Sequence, residues 1–471
     1  MTAAMEWWGW PPRYDDAYVP PEHQPFWAPV RETMPAADRE ARVLERVREV
    51  MRYAYERAPF YRRKWGDAGI DPEGIRSLED FERVPVVTKD ELRAAQAASE
   101  PFGDYLCVGE DEVKHVHGTS GTTGRPTAFG ISAGDWRAIA NAHARVLWSM
   151  GVRPSDTVFI GSFFSLYMGS WGALIGAERL GARVFPFGAG VSGQTLRAVN
   201  WMRQMRPTVF YGTPSYALRL AEVAREQGID PASFGLSRLV FSGEPGASIP
   251  AIRSRLESLY GALVFESGSM AEVSPWMNLG ESAARAGMLC WQDLVYTEVV
   301  DPIAHRRVPY GSEGSPVYTT LERGSQPMIR LLSGDLVRWE SGPSPCGRTY
   351  PVLPKGIYGR IDDMFTIRGE NVYPSAIDEV VCGLDGYGGE HRILITRQEA
   401  MDELTVQLEH DRSVVTEEQV TALRRRAEEG LRAVLGVGAR VLPVPPGTLE
   451  RAEFKARRVI DDRDLLRAAR A

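Results

Sequence analysis

Residues 157–186 read TVFIGSFFSLYMGSWGALIGAERLGARVFP, and this stretch decides the fold class. Thr157–Val–Phe–Ile160 is a short apolar run suited to a buried strand. Gly172 to Leu180 is a run of small and apolar residues that reads as a helix, and Ala182–Arg–Val–Phe–Pro186 reads as the next strand. Outward from it the alternation continues through a helix at Leu196–Met205, a strand at Thr208–Val–Phe–Tyr211 and another at Leu239–Val–Phe241. Repeated strand–helix–strand order predicts an α/β body with largely parallel sheets.

The flanks differ in texture. On the N-terminal side, Val43, Leu44, Val47, Val50, Met51 and Ala54 recur at helical spacing, which predicts an amphipathic helix over 38–58. Before it, residues 1–37 form an arm rich in Trp, Tyr and Pro (Trp7, Trp8, Trp10, Pro11, Pro12, Tyr14) without a period. The arm is expected to pack along its own chain or a partner subunit. Beyond Gly359 come a strand (Met364–Arg368), a helix start (Pro374–Val381) and two strands (Arg392–Thr396, Glu403–Leu408). A helix follows, opened by a Thr416/Gln419 capping box and closed by Gly436, then a strand at Arg440–Val444. The chain therefore divides into an arm (1–37), a large domain (38–358) and a small α+β domain (359–471).

Composition narrows the function classes. Of 471 residues, 44% are hydrophobic and 25% charged, as in ordinary globular proteins. The net charge is −7 and the 55 basic residues form no long tract, which argues against a nucleic-acid partner. No apolar run is long enough to span a bilayer, and the N-terminus lacks a secretory pattern. Cys107, Cys290, Cys346 and Cys382 are scattered, with no C-x-x-C pair, so neither a disulfide framework nor zinc is expected. The chain reads as cytoplasmic.

The strongest chemical signal is His117–Gly–Thr–Ser–Gly–Thr–Thr–Gly–Arg–Pro–Thr127. Its glycines let backbone N–H groups approach an anion closely, and its hydroxyls can wrap phosphate oxygens. The bland alternative is a polar turn. A Walker loop does not fit, because Arg125 is followed by Pro126 rather than by Ser or Thr. The spacing resembles the phosphate loop of the adenylate-forming superfamily (acyl-CoA synthetases, adenylation domains, luciferases), in its phenylacetate–CoA ligase-like branch. Four further segments match in order. Tyr211–Gly–Thr–Pro–Ser–Tyr216 resembles the acyl-pocket strand and turn, and Ser242–Gly–Glu–Pro245 the adenine-side G-x-E-P segment. Ser333–Gly–Asp335 resembles the ribose-binding motif, and Gly359–Arg–Ile–Asp–Asp–Met…Arg–Gly–Glu–Asn–Val–Tyr–Pro374 the hinge signature. A fifth, Arg451–Ala–Glu–Phe–Lys–Ala–Arg–Arg–Val459, resembles the segment that supplies a catalytic lysine.

The resemblance, which runs from about residue 40 to the C-terminus, implies specific roles. The enzyme would be an ATP-dependent acid–thiol ligase that makes an acyl-AMP and passes the acyl group to coenzyme A. Lys455 would bridge the acid carboxylate and the α-phosphate, with Arg360 at the ribose or phosphate and Glu272 holding Mg²⁺ with Thr123. Thr119, Ser120, Gly121, Thr122, Thr123, Gly124 and Arg125 would grip the phosphates. Gly243, Glu244 and Pro245 would lie along adenine, and Asp335 would accept from both ribose hydroxyls. Asp362 is the hinge position between two arrangements of a mobile small domain, the second presenting Arg368, Gly369 and Glu370 to the pantetheine arm. Phe163, Phe164, Tyr167, Met168, Trp171, Tyr211, Gly212, Ser267 and Gly268 would line the acyl pocket, which suggests a small, aromatic carboxylic acid. As plain core residues these would need no ligand. A homodimer is implied by resemblance alone.

One motif departs from the family pattern. In Glu266–Ser–Gly–Ser–Met–Ala–Glu272, Ala271 stands where Ser or Thr is usual and the adenine-stacking Tyr is missing. Two other readings stay open: transfer to a carrier-protein phosphopantetheine or an amine, and a nucleotide-binding regulatory protein without chemistry.

Overall fold

The computed structural model describes residues 10, 12–119, 127–166, 168–189, 193–244, 246–273, 277–361, 363–368, 370–398, 401–451 and 458–462. The 157–241 alternation forms one sheet, ordered among the described residues Arg183–Phe185, Thr157–Ile160, Val209–Gly212, Arg238–Phe241, Leu263–Gly268. These five run parallel, and Leu279–Gly280, Met288–Cys290 and Val352–Leu353 extend the sheet antiparallel. Helices Met168–Leu180, Thr195–Met205, Pro214–Glu226 and Pro250–Tyr260 connect the parallel strands. Parallel strands covered by helices are apolar along their whole length, and Thr157–Ile160 and Val209–Gly212 are buried at every position. The small residues of Met168–Leu180 have a packing reason. A Cβ on Gly172 or Gly176 would come within 2.3 Å of His143 on helix Ala133–Ser149. Enclosed there, the His143 imidazole has its pKa lowered to about 4 by burial.

A second sheet pairs Val295–Val300, Glu313–Thr320, Asp335–Arg338 and Gly359–Arg360 in that order, all antiparallel. The C-terminal domain is separate, with its own apolar core. Its four-stranded sheet runs Arg440–Val444, Met401–His410, Tyr387–Gln398, Val459–Asp461, with an antiparallel centre and parallel outer pairs. Helix Glu417–Leu435 carries the expected Thr416/Gln419 capping box and ends at Gly436, whose φ is +71°. Among the described residues no helix is long and apolar enough to cross a membrane.

The described part of the arm, Trp10 and residues 12–37, lies on its own chain, while Trp7, Trp8 and Pro11 lie outside the described residues. Its anchor is buried Glu32, whose carboxylate accepts from Arg145 Nε at 3.0 Å, Arg348 Nε at 2.8 Å and the Ala28 N–H at 2.8 Å. Beside it Asp293 accepts from Arg31 and Arg145, each at 2.8 Å, and from the Tyr350 hydroxyl at 2.6 Å. Burial alone would raise the Asp293 carboxyl, but Arg145 and Arg31 outweigh it and hold it at about 2. Farther out, Tyr14 donates to Glu322 at 2.7 Å. The expected helix begins two residues earlier than its periodicity suggests, as Ala36–Arg57.

Candidate active site

The carboxyl ends of parallel strands are where open α/β sheets place ligands. Here three neighbouring strand ends are tied together. The Ser242 N–H donates to the Gly212 carbonyl at 3.1 Å, and the Ser267 hydroxyl donates to the Phe241 carbonyl at 3.1 Å. Gly243 takes φ +95°, a left-handed value that suits glycine in the turn after the strand. The Glu244 carboxylate accepts the Ser215 N–H at 2.7 Å, at the first turn of helix Pro214–Glu226, while the N-cap Thr213 accepts from Tyr216. The Glu244 side chain therefore locks the two turns together, a role the motif alone does not reveal. Pro245 lies outside the described residues.

Strands Val113–Gly118 and Ala128–Ser132 form an antiparallel hairpin around the phosphate-loop segment. Its neck is closed by Thr119 and Thr127: Thr119 N–H donates to the Thr127 carbonyl at 3.1 Å, and Thr127 N–H to the Thr119 hydroxyl at 3.2 Å. Gly118 must lack a side chain, since a Cβ would lie 2.7 Å from the Thr127 carbonyl. Ser120, Gly121, Thr122, Thr123, Gly124 and Arg125 lie outside the described residues.

Glu272 sits buried in a short 3₁₀ turn, Ala271–Val273, that packs against this hairpin. Arg323 fixes the turn through the Glu272 carbonyl at 2.6 Å. Lys89 Nζ stands 3.7 Å from the Glu272 carboxylate. Sequence reasoning missed Lys89. Its signal was the capping box Thr88/Glu91, which places Lys89 at a helix start, but nothing local links that helix to Glu272.

Asp335 and Arg360 face each other across paired strands, with Arg360 Nη1 3.4 Å from Asp335 Oδ1. Gly334, at φ +77°, accepts the Ile361 N–H at 2.7 Å, so the chain enters the hinge signature fastened to the Ser–Gly–Asp turn. Asp362, Gly369 and Lys455 lie outside the described residues. Arg368 directly follows strand Phe365–Ile367, which pairs antiparallel with Glu370–Val372. Arg368 has φ +52°, as such tight hairpins require, and its Nε donates to the Asp402 carbonyl at 3.2 Å. Glu370 is exposed beside Gly436.

Of the expected acyl-pocket residues, Tyr211, Gly212, Ser267 and Gly268 are buried at the strand ends, and Met168 is buried in the core. Gly212 has no room for a Cβ, which would fall 2.9 Å from the Gly161 carbonyl. Phe163 and Phe164 are half-buried. Phe164 meets Trp171 edge to face at 5.2 Å, and Trp171 donates to the Ser165 carbonyl at 3.0 Å. Tyr167 lies outside the described residues. Glu266 is wholly buried, bonded to the Ser248 hydroxyl, and burial pushes its carboxyl up to about 7. Glu281, paired with Arg253 at 2.8 Å, accepts the Glu266 N–H at 3.0 Å.

The motifs thus fall, among the described residues, on a hairpin neck, a buried carboxylate, a cross-strand Asp335–Arg360 pair and the turns at the strand ends. Among the described residues no three His, Cys, Asp or Glu side chains gather as a metal site. Glu272 fits a magnesium ion of the kind that enters with nucleotide phosphates and takes one protein carboxylate.

Comparison with known proteins agrees. Residues 76–318 match the AMP-binding enzyme family, and residues 369–463 match the AMP-binding enzyme C-terminal domain. The phenylacetate–coenzyme A ligase of Thermus thermophilus is 35% identical over 452 residues, covering 93% of this chain and 99% of the relative. A 2-hydroxyisobutyryl-CoA ligase, solved in its postadenylation state with 2-HIB-AMP, is 59% identical over 98% of both chains, with a TM-score of 0.94. The same ligase with 2-HIB-AMP and CoA, in its thioesterification state, superposes with a TM-score of only 0.76. These two forms differ in shape, and this chain superposes better on the first. The chain belongs to the AMP-binding enzyme family, among the AMP-forming acid–thiol ligases of the phenylacetate–CoA ligase branch.

Proposed function

We propose that this enzyme activates a short, branched 2-hydroxy acid with ATP, releasing pyrophosphate, and transfers the acyl group from AMP to coenzyme A. The carrying observation is the 59% identity over 98% of both chains to the ligase that binds 2-HIB-AMP. An aryl acid is the second reading, favoured by the edge-to-face pair Phe164–Trp171 beside the strand ends.

The first step joins two anions, so its main demand is charge neutralisation and alignment. Lys455 would place its ammonium between the acid carboxylate and the α-phosphate. Asp335 would hold the ribose, with Arg360 across the strand pair restraining it. Glu272 would hold magnesium with Thr123, and the ion would offset phosphate charge. Lys89, beside Glu272, would add a cation near the outer phosphates. After pyrophosphate leaves, rotation about Asp362 would bring the Arg368–Gly369–Glu370 loop to the acyl-AMP, where the CoA thiolate attacks the acyl carbon and AMP departs. We place the domain limits at residues 38 and 359, and assign a cytoplasmic homodimer.

The test is acid-dependent ATP–pyrophosphate exchange over short 2-hydroxy acids, branched acids and arylacetic acids, followed by CoA addition. Exchange with the 2-hydroxy acids, lost in Lys455→Ala, is the expected result. Preference for arylacetic acids would select the second reading. Exchange without acyl-CoA formation would overturn CoA as the acceptor.

A further inference from the structure

Two arginines hold the chain on either side of Lys455. Arg451, four residues before it, donates from Nη2 to Glu409 at 2.7 Å, and Glu409 is buried at 0% exposure. The other Glu409 oxygen accepts the Leu449 N–H at 2.6 Å. Arg458, three residues after Lys455, donates to Glu390 at 2.9 Å. Val459–Asp461 then pairs in parallel with Ile393, Leu394 and Ile395. Both ends of the segment are thus fixed to the small-domain sheet.

Arg451 also reaches across the seam. Its Nε lies 3.4 Å from Glu222 on helix Pro214–Glu226 of the body, the helix whose first turn the Glu244 carboxylate fastens to the strand ends. A narrow seam between the domains is lined by Arg219, Glu222, Gly389, Glu390, Arg451 and Arg458. Close by, Gly389 packs so tightly on Arg255 of the body that a Cβ would stand 2.8 Å from its guanidinium.

The two halves of the Arg451 bridge are unequal. The Glu409 half is short and its carboxylate fully buried. In the Glu222 half the side chains are 21% and 29% exposed and the contact is longer. Solvent-exposed pairs are weak and easily exchanged, whereas breaking a buried pair strands a charge. An arginine bonded firmly to the domain that moves and lightly to the domain left behind is suited to reversible docking. The chain also has the shape of the relative's postadenylation form, with the bridge made.

We propose that Arg451 is a positioning residue for the first half-reaction: bridging Glu409 and Glu222, it holds the small domain on the body while acyl-AMP forms, and it releases Glu222 when CoA reacts. This rests on Lys455 serving the first step.

The discriminating variant is Glu222→Gln, which leaves the buried Arg451–Glu409 half intact. Glu226→Gln is its control, because Glu226 pairs only with Arg219 among the described residues, at 3.8 Å. Acid-dependent pyrophosphate exchange is compared with thioester formation from supplied acyl-adenylate and CoA. Glu222→Gln is expected to slow exchange about three- to fivefold, the scale of one half-exposed ion pair, and to leave thioester formation unchanged. Arg451→Lys, unable to fork between two carboxylates, should shift the two steps in the same unequal way. Equal loss in both steps, or exchange no slower than in Glu226→Gln, would overturn the proposal. Absence of exchange in wild type with every acid sinks the functional reading as well; normal wild-type exchange with an unaffected Glu222→Gln sinks only this one.

Discussion

The N-terminal arm and the C-terminal domain are both docked on the same body through arginine–carboxylate pairs, yet the pairs are built differently. The arm uses Glu32 and Asp293, each with two arginines at 2.8–3.0 Å and no exposure. The C-terminal seam uses Arg451–Glu222, half-exposed and 3.4 Å long. Buried pairs resist opening because separation leaves a charge in a medium of low polarity, while water readily replaces a partner at an open seam. The difference fits a lasting attachment for the arm and, on the proposed two-step cycle, an exchangeable one for the small domain.

Three experiments can break or sharpen this contrast. The largest effect belongs to Glu32→Gln, which removes the buried counter-charge of Arg145 and Arg348 and turns one accepting oxygen into an NH₂ donor facing them. We expect a loss of about 3–5 kcal/mol in urea unfolding; a loss below about 1 kcal/mol would mean that the arm is not a permanent fixture.

Next comes Glu266, buried like Glu32 but, among the described residues, bonded to the Ser248 hydroxyl rather than to an arginine. It titrates at about 7 in the folded chain against an ordinary value of 4.5. The folded form thus binds the proton more tightly, and wild type loses stability as pH rises between those values. Glu266→Gln should match wild type at pH 4.5 and exceed it by roughly 2–3 kcal/mol at pH 8, read from melting curves. No pH-dependent gap would show that burial without a guanidinium is tolerated here.

The smallest effect is on stability in Glu222→Gln, where unfolding should change by no more than about 1 kcal/mol. A large destabilisation would make the seam structural.

Much of the fold was legible because its determinants are local. Strand Thr157–Ile160 and the Thr416 capping box follow from apolar runs and spacing within a few residues. Where packing decides, sequence spacing was less informative. Strand Tyr387–Gln398 spans 12 residues because its partner Met401–His410 continues to pair, whereas its own pattern suggested only Arg392–Thr396. The site divides in the same way. The Gly243 turn and the Asp335–Arg360 register sit on motifs. Lys89 near Glu272, and Arg451 near Glu222, join residues 183 and 229 positions apart, and no local pattern encodes such pairs. Glu244 shows that a motif residue can have its side chain engaged on a neighbouring turn, at Ser215, which the motif does not reveal.

The anchoring of the arm also sets an order of events during synthesis. Glu32 and Arg348 are 316 residues apart. At 5–20 residues per second, the ribosome delivers the second partner roughly 15–60 seconds after the first. Throughout that interval the carboxylate made first has no Arg348 to close on. The grip is therefore completed in two stages: Arg145, 113 residues from Glu32, can close first, and the Arg348 bond waits until most of the body is made, an interval in which a chaperone or a protease has access to the arm.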